Sequence, residues 1–171
     1  MKNQVLYASK INPDNNESGK KDAVKRIADA IATGAGLVAN YIGNYSRIND
    51  TEVLFIGSDV KGGKYVAHKN LMRIFNEITS ENVKTVVLYS IILSGNDSAL
   101  NQIKAILEPK GIKVETEEFK CKGPTLFGNK GHPTDQEVAD ARTFGEMIAA
   151  KYRDTTKAGA NASVARYREM E

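Results

Sequence analysis

The chain has no tryptophan, one cysteine, two histidines and four prolines among its 171 residues. A single cysteine, Cys121, excludes an intramolecular disulfide and fits a reducing cytoplasm. The two histidines, His68 and His132, stand in no cluster with metal-ligand spacing, so no metal site is expected. Long hydrophobic runs are absent too. Val86 to Tyr89 and Ile91 to Leu93 are far too short to span a bilayer, so no membrane partner is expected. The N-terminal MKNQVLYASK has only a short apolar run and reads as a first strand rather than a secretory segment. Charge of one sign is also scarce. Twenty-four Lys and Arg against 21 Asp and Glu leave a net +3, and no dense basic block interleaves with aromatics. Nucleic acid is therefore not expected as a partner. What remains, 41% apolar and 26% charged residues, is ordinary for one globular domain with its own core.

The apolar residues are arranged in two alternating patterns. Val5 to Ala8, Val53 to Ile56 and Thr85 to Tyr89 are short continuous runs, as expected of parallel strands buried on both faces. Between them, Ala23, Val24, Ile27, Ala28, Ile31 and Ala32 recur at helical spacing, as do Leu71, Ile74, Phe75 and Ile78, and then Leu100, Ile103, Ile106 and Leu107. A weaker strand falls in residues 37 to 42, and a fifth begins at Ile112 and continues toward Cys121. A last helix runs from Asp135 to Tyr152, with Thr134 or Asp135 as its cap and Glu137 in its first turn. Strand and helix alternate throughout, which predicts a three-layer α/β sandwich: a five-stranded parallel sheet of order 2-1-3-4-5 with helices on both faces. The domain spans residues 1–152, and residues 153–171 form a tail, helical or disordered.

In such a sheet, ligands bind beyond the carboxyl ends of the strands, where the strand order reverses. The segments expected there are residues 9–21, 58–65 and 90–96. Ser9, Lys10, Ser18, Gly19 and Lys20 suit a phosphate at the start of the first helix, although Ser18-Gly19 is equally read as a helix cap. In the second segment stand Asp59, Val60, Lys61, Gly62, Gly63 and Tyr65. Tyr65 either walls a flat ring or packs beneath the next helix. The third segment offers Ser90, Ser94, Gly95 and Asn96 in a loop and turn.

Three stretches carry a family resemblance. EVLFIGSDVKGGK resembles the third strand and following loop of flavodoxins. The helix Ile27 to Ala32 resembles the family's first helix, and FKCKGP with GHPTDQEVADARTFGEMIA is similar to the end of several bacterial flavodoxin-family proteins. The resemblance covers about residues 4 to 150 and implies bound FMN and electron transfer between a reductase and a partner enzyme. It puts the phosphate near Ser9, Ser18, Gly19 and Lys20, and the ring between the 62–65 loop and the 90–96 loop. The loop after the first strand is longer than the family's and lacks its final threonine, so lysine charge replaces the hydroxyl grip. Many flavodoxins are acidic. This mildly basic chain implies a redox partner with an acidic docking face.

Other functions are weaker readings. A phosphoacceptor receiver would use Asp59 but needs an acidic pair after the first strand, where Ala8-Ser9-Lys10 stands. Neither histidine sits in a nucleophile context, and Cys121 reads as a half-buried small residue. A flavin-free scaffold that binds a protein partner, and an NAD(P)H-dependent FMN reductase, remain the alternatives to an electron carrier.

Overall fold

The computed structural model describes residues 2–11, 22–45, 48–66, 68–96, 98–125, 128 and 130–169, with side chains given as far as Arg153 except that of His68. Strands β1 (Lys2–Ala8), β2 (Ala39–Tyr41), β3 (Thr51–Lys61), β4 (Lys64–Tyr65), β5 (Val83–Ser94), β6 (Lys113–Val114) and β7 (Phe119–Lys122) form one sheet. Helices α1 (Ala23–Ala35), α2 (His68–Glu77), α3 (Ala99–Leu107) and α4 (Asp135–Glu169) connect and cover it. The main path through the sheet is β2-β1-β3-β5-β6, all parallel, which is the order read from the sequence. The backbone after Arg153 continues α4 to Glu169.

Two layers of core follow from strand alternation, since successive side chains point to opposite faces. On one face Leu6, Leu54, Ile56, Val86 and Leu88 pack with Leu71, Ile74 and Ile103 of α2 and α3. On the other, Val5, Phe55, Val87 and Tyr89 pack with Ile27 and Ile31 of α1 and Ile148 of α4. Both central strands are buried on both sides, which is why they read as unbroken apolar runs.

Helix α1 shows how its sequence sets its limits. Asp22 accepts the Val24 and Lys25 amides at 3.0 and 3.3 Å, satisfying donors that the first turn leaves open. Gly36 ends the helix in the left-handed region at φ 72°, where a side chain would be strained. α1 and α4 touch backbone to backbone. A Cβ on Gly34 would meet the Arg142 carbonyl, and one on Gly145 would meet the Ile31 carbonyl.

The structure changes three details of the sequence reading. First, β3 and β5 run several residues past the predicted ends and stay paired to Lys61 and Ser94. Val60 and Ile91 are fully buried there, so apolar packing rewards continued pairing. Asp59 to Lys61 and Ile91 to Ser94 are therefore strand, not loop. Second, Lys61 to Lys64 form a tight turn that returns the chain as the short antiparallel strand β4. Third, the fifth strand is broken into β6 and β7. Val114 pairs with Val86 and Phe119 with Tyr89, so the edge carries two more residues than its neighbour over that interval. The surplus bulges out at Thr116 and Glu117 and leaves Glu115 2% exposed. Its carboxylate accepts the Tyr152 hydroxyl at 2.5 Å and meets Lys151 at 3.0 Å and Lys113 at 3.4 Å, tying α4 to the edge. Burial opposes the charge on Glu115, but hydrogen bonds with Glu117, Tyr152, Lys151 and the Thr116 amide together hold its carboxyl well below the usual range. No helix among the described residues is long and apolar enough to cross a membrane.

Candidate functional site

A step in the sheet creates the site. β1 ends at Ala8, level with Ser58, whereas β3 and β5 continue to Lys61 and Ser94. The chain turns away after Ala8, with the Ile11 amide donating to the Ser9 hydroxyl at 3.0 Å. Strand alternation then aims Asp59 of β3 and Leu93 of β5 toward the α1 side, above Phe55 and Tyr89. Together with Ser9, Lys10, Ile11, Asp22, Ala23 and Pro124 they line a cavity of about 230 Å³. A second cavity of about 290 Å³ shares Asp22, Ala23 and Pro124 and extends along Arg26, Lys130, Gly131, His132 and Pro133. The two make a groove over the start of α1, at the point where the strand order reverses between β1 and β3.

The charges here are mixed. Burial pushes the Asp59 carboxyl up to about 6, the nearby Asp22 carboxylate adds to the rise, and Lys10 opposes it. Asp22 already occupies the amides at the head of α1. The second cavity is braced by ion pairs. Arg26 donates to the Pro133 carbonyl at 2.6 Å and to Asp135 at 2.7 Å. His132 Nδ1 lies 2.9 Å from Glu137, which accepts the Thr134 amide at 2.6 Å while the Thr134 hydroxyl accepts the Glu137 amide at 3.2 Å. That reciprocal pair is the capping box read from the sequence. Burial opposes the Glu137 charge, but the Thr134 amide and His132 hold its carboxyl below the usual range. Burial pushes the Cys121 thiol up to about 12, helped by Glu137 and Asp59, so it is no nucleophile near neutral pH.

Of the residues expected at the site, the structure brings Ser9, Lys10 and Asp59 together. Ser18, Gly19 and Lys20 lie outside the described residues. Val60 and Ser90 are fully buried on the opposite face, so their side chains do not reach a ligand. Tyr65 takes the second of its two readings. It is 5% exposed and packs in the α2 side core, its hydroxyl 3.3 Å from Ser90 Oγ and 3.5 Å from the Tyr89 carbonyl. The 62–65 and 90–96 segments, expected on either side of a ring, meet each other directly. The Gly62 amide donates to the Ser94 carbonyl at 2.9 Å, and the Ser98 hydroxyl donates to the Gly63 carbonyl at 3.1 Å. A Cβ on Gly95 would lie 2.8 Å from Gly62 Cα, and one on Gly63 2.7 Å from Asn96 Oδ1. Lys61, Gly62, Gly63, Ser94, Gly95 and Asn96 thus form a contact between two turns, exposed on its outer side except at Gly63. Positive φ at Gly62, Gly63 and Gly95 serves this contact.

Sequence reasoning put Ile11 and Leu93 in segments expected at the crevice without singling them out, and it missed Asp22, Ala23 and Pro124. Two signals were present. Asp22 stands directly before the first periodic apolar residue, the usual place of a cap. Val87, Tyr89, Ile91 and Leu93 alternate along one strand face, so Leu93 belongs with the α1 side.

No family model matches the chain, and no curated protein matches it in sequence. Solved structures share its fold. A flavodoxin from the domain Archaea superposes with a TM-score of 0.58 at 15% identity, covering 86% of this chain and 97% of that one. Oxidised flavodoxin 1 from Bacillus cereus gives 0.54 at 16% identity, over 84% and 94%. Rubredoxin oxygen:oxidoreductase from Desulfovibrio gigas gives 0.60 at 12% identity over 90% of this chain but 36% of its own, so this chain spans about a third of that enzyme. At these identities the likeness establishes the fold, which is flavodoxin-like.

The residues present fit one part of FMN better than the other. Ile11, Leu93 and Pro124 offer apolar wall to a flat ring, and Lys10 offers a cation to an anionic tail. At the head of α1, Asp22 already accepts the Val24 and Lys25 amides and Asp59 lies in the same cavity, which leaves Lys10 and Ser9 as the described groups that suit a phosphate.

Proposed function

We propose that this chain binds FMN in the crevice over β1, β3 and β5 and serves as a cytoplasmic electron carrier between a reductase and a partner enzyme. The observation that supports this reading most is the early end of β1, which opens an apolar-walled cavity at the strand-order reversal. In this reading the ring lies against Ile11, Leu93 and Pro124. The phosphate is drawn by Lys10 beside Ser9, away from the capped amides of α1. Bound flavin supplies one- and two-electron transfer, while the protein binds it, orients it and sets its surroundings. Asp59 gains a proton as pH falls through about 6, and below that it can present a neutral carboxylic acid to a polar edge of the ligand.

The absorbance spectrum of the purified chain, before and after incubation with FMN and gel filtration, tests the reading. Flavin bands that co-elute with the protein support it. Their absence from protein exposed to excess FMN removes it. A second reading, a flavin-free scaffold acting on a protein partner, is favoured by one observation: two carboxylates, Asp22 and Asp59, share a cavity that would have to accept a phosphate. Direct NAD(P)H oxidation by the flavin-loaded protein would mark a reductase instead of a carrier.

A further inference from the structure

We propose that the carboxyl end of the sheet, around the mouth of the crevice, is a basic docking surface for an acidic electron-transfer protein. The inference rests on the reading of the chain as a flavin electron carrier and names the partner's chemistry and the face it uses.

Register collects the lysines. Lys61 pairs with Ser94 at the end of β5, and Lys122, the last residue of β7, pairs with Ile92. Lys64 opposes Lys61 across the hairpin. Lys10 follows β1 onto the crevice wall, and Lys130 lines the adjoining cavity. All five are exposed, and none forms an ion pair among the described residues. Among the described residues, the carboxylates at this end are already engaged or recessed. Asp22 caps α1, Asp59 lies inside the crevice, Asp135 meets Arg26, and Glu137 meets His132.

The opposite end of the sheet shows the contrast. There Lys110 donates to the Phe75, Asn76 and Ile78 carbonyls, Lys84 to the Ser80 carbonyl, and Lys113 and Lys151 hold Glu115. Those lysines have structural partners, whereas the five at the crevice end point their charge to solvent. Five lysine cations without carboxylate partners among the described residues are therefore gathered at one pole. Such a pole steers an oppositely charged protein onto the crevice and raises its association rate by about 10- to 1,000-fold at low salt.

A protein suits the face better than a nucleic acid. Single strands gain much of their affinity by stacking bases on exposed aromatics. The one aromatic of the β3–β4 hairpin, Tyr65, is buried, and no aromatic is among the large exposed apolar side chains of the described residues.

The test uses the full chain loaded with FMN, its loading read from absorbance, and a dithionite-reduced acidic plant-type [2Fe–2S] ferredoxin as the probe. In each encounter the cluster loses one electron and the flavin gains it, with any proton taken from solvent. Stopped flow should show a second-order rate that falls by about ten-fold from low to high salt. The double variant Lys64→Glu/Lys122→Glu should lower the low-salt rate by about ten-fold and flatten its salt dependence. Lys2→Glu, at the other end of the sheet, should match wild type. Equal rates in all three proteins would overturn the proposal. So would an oligonucleotide binding tightly through Lys64 and Lys122 while electron transfer ignores them. Ferredoxin binding to flavin-free protein, followed by NMR, separates the two readings. Lysine-dependent binding by a chain that never holds FMN would keep the docking face and end the carrier reading. FMN binding with lysine-independent electron transfer and ferredoxin binding would do the reverse.

Discussion

Replacing Asp59 by asparagine should make the flavin-free protein more stable near pH 7 and leave it nearly unchanged below pH 4. Burial is the main reason, since it disfavours the charged carboxylate; Asp22 adds repulsion and Lys10 offsets part of it. The folded carboxyl sits at about 6 against an ordinary 3.8. At about 1.4 kcal/mol per pH unit, that displacement is worth about 3 kcal/mol. The sign follows from proton linkage. Between pH 3.8 and about 6 the folded state binds more protons than the unfolded state, so stability falls as pH rises through that window. Below it both states are protonated and nothing is lost; above it the full penalty stands. Asparagine has nearly the same shape and no charge, so it removes the penalty and keeps the packing. Urea unfolding of both proteins at intervals from pH 3.5 to 8 reads the difference directly, and other titrating groups cancel. The gap should open from near zero to about 3 kcal/mol. A constant gap would show an unshifted carboxyl, and a variant that loses ground to wild type as pH rises would show that a cation holds Asp59 ionised; either result refutes the reasoning. Lys10→Met should push the carboxyl still higher and deepen the wild-type loss.

Tyr152→Phe removes the hydroxyl that Glu115 accepts at 2.5 Å and should cost about 1–3 kcal/mol in urea unfolding. Because the Glu115 carboxyl is held low, its network stabilises the protein above the ordinary carboxylate range and fades as pH falls, so Glu115→Gln should flatten the acid side of the stability curve. Gly145→Ala drives a methyl into the Ile31 carbonyl and should lower the melting temperature by separating α1 from α4, at about 1–3 kcal/mol or more. Leu93→Asp places a charge on the crevice wall and should weaken FMN at least about ten-fold in a fluorescence titration, with far-UV circular dichroism unchanged. Normal FMN affinity in that variant would move the ring elsewhere.

The fold was legible because burial on both faces leaves an unmistakable pattern. Val53 to Ile56 and Val86 to Tyr89 can be continuous apolar runs only where helices cover both sides, and the helical spacing of Ile27, Ile31, Ile74 and Ile103 supplies those helices. The strand order followed from short right-handed crossovers. The site was only half legible. Ser9, Lys10 and Asp59 follow from the ends of strands, but Ser18 drew attention from Asp22, and the glycines at 62, 63 and 95 read as ligand-facing when they serve a contact between two turns.

The sequence by itself determined where the central strands and the helices lie and which face their apolar residues present, because those periods are local properties of the backbone. Tertiary structure alone decided how far β3 and β5 stay paired beyond β1, and that difference is the crevice. It also brought Asp22 beside Asp59 and gathered five scattered lysines at one pole. Pairing length and charge proximity depend on neighbours distant in sequence, so no local pattern encodes them.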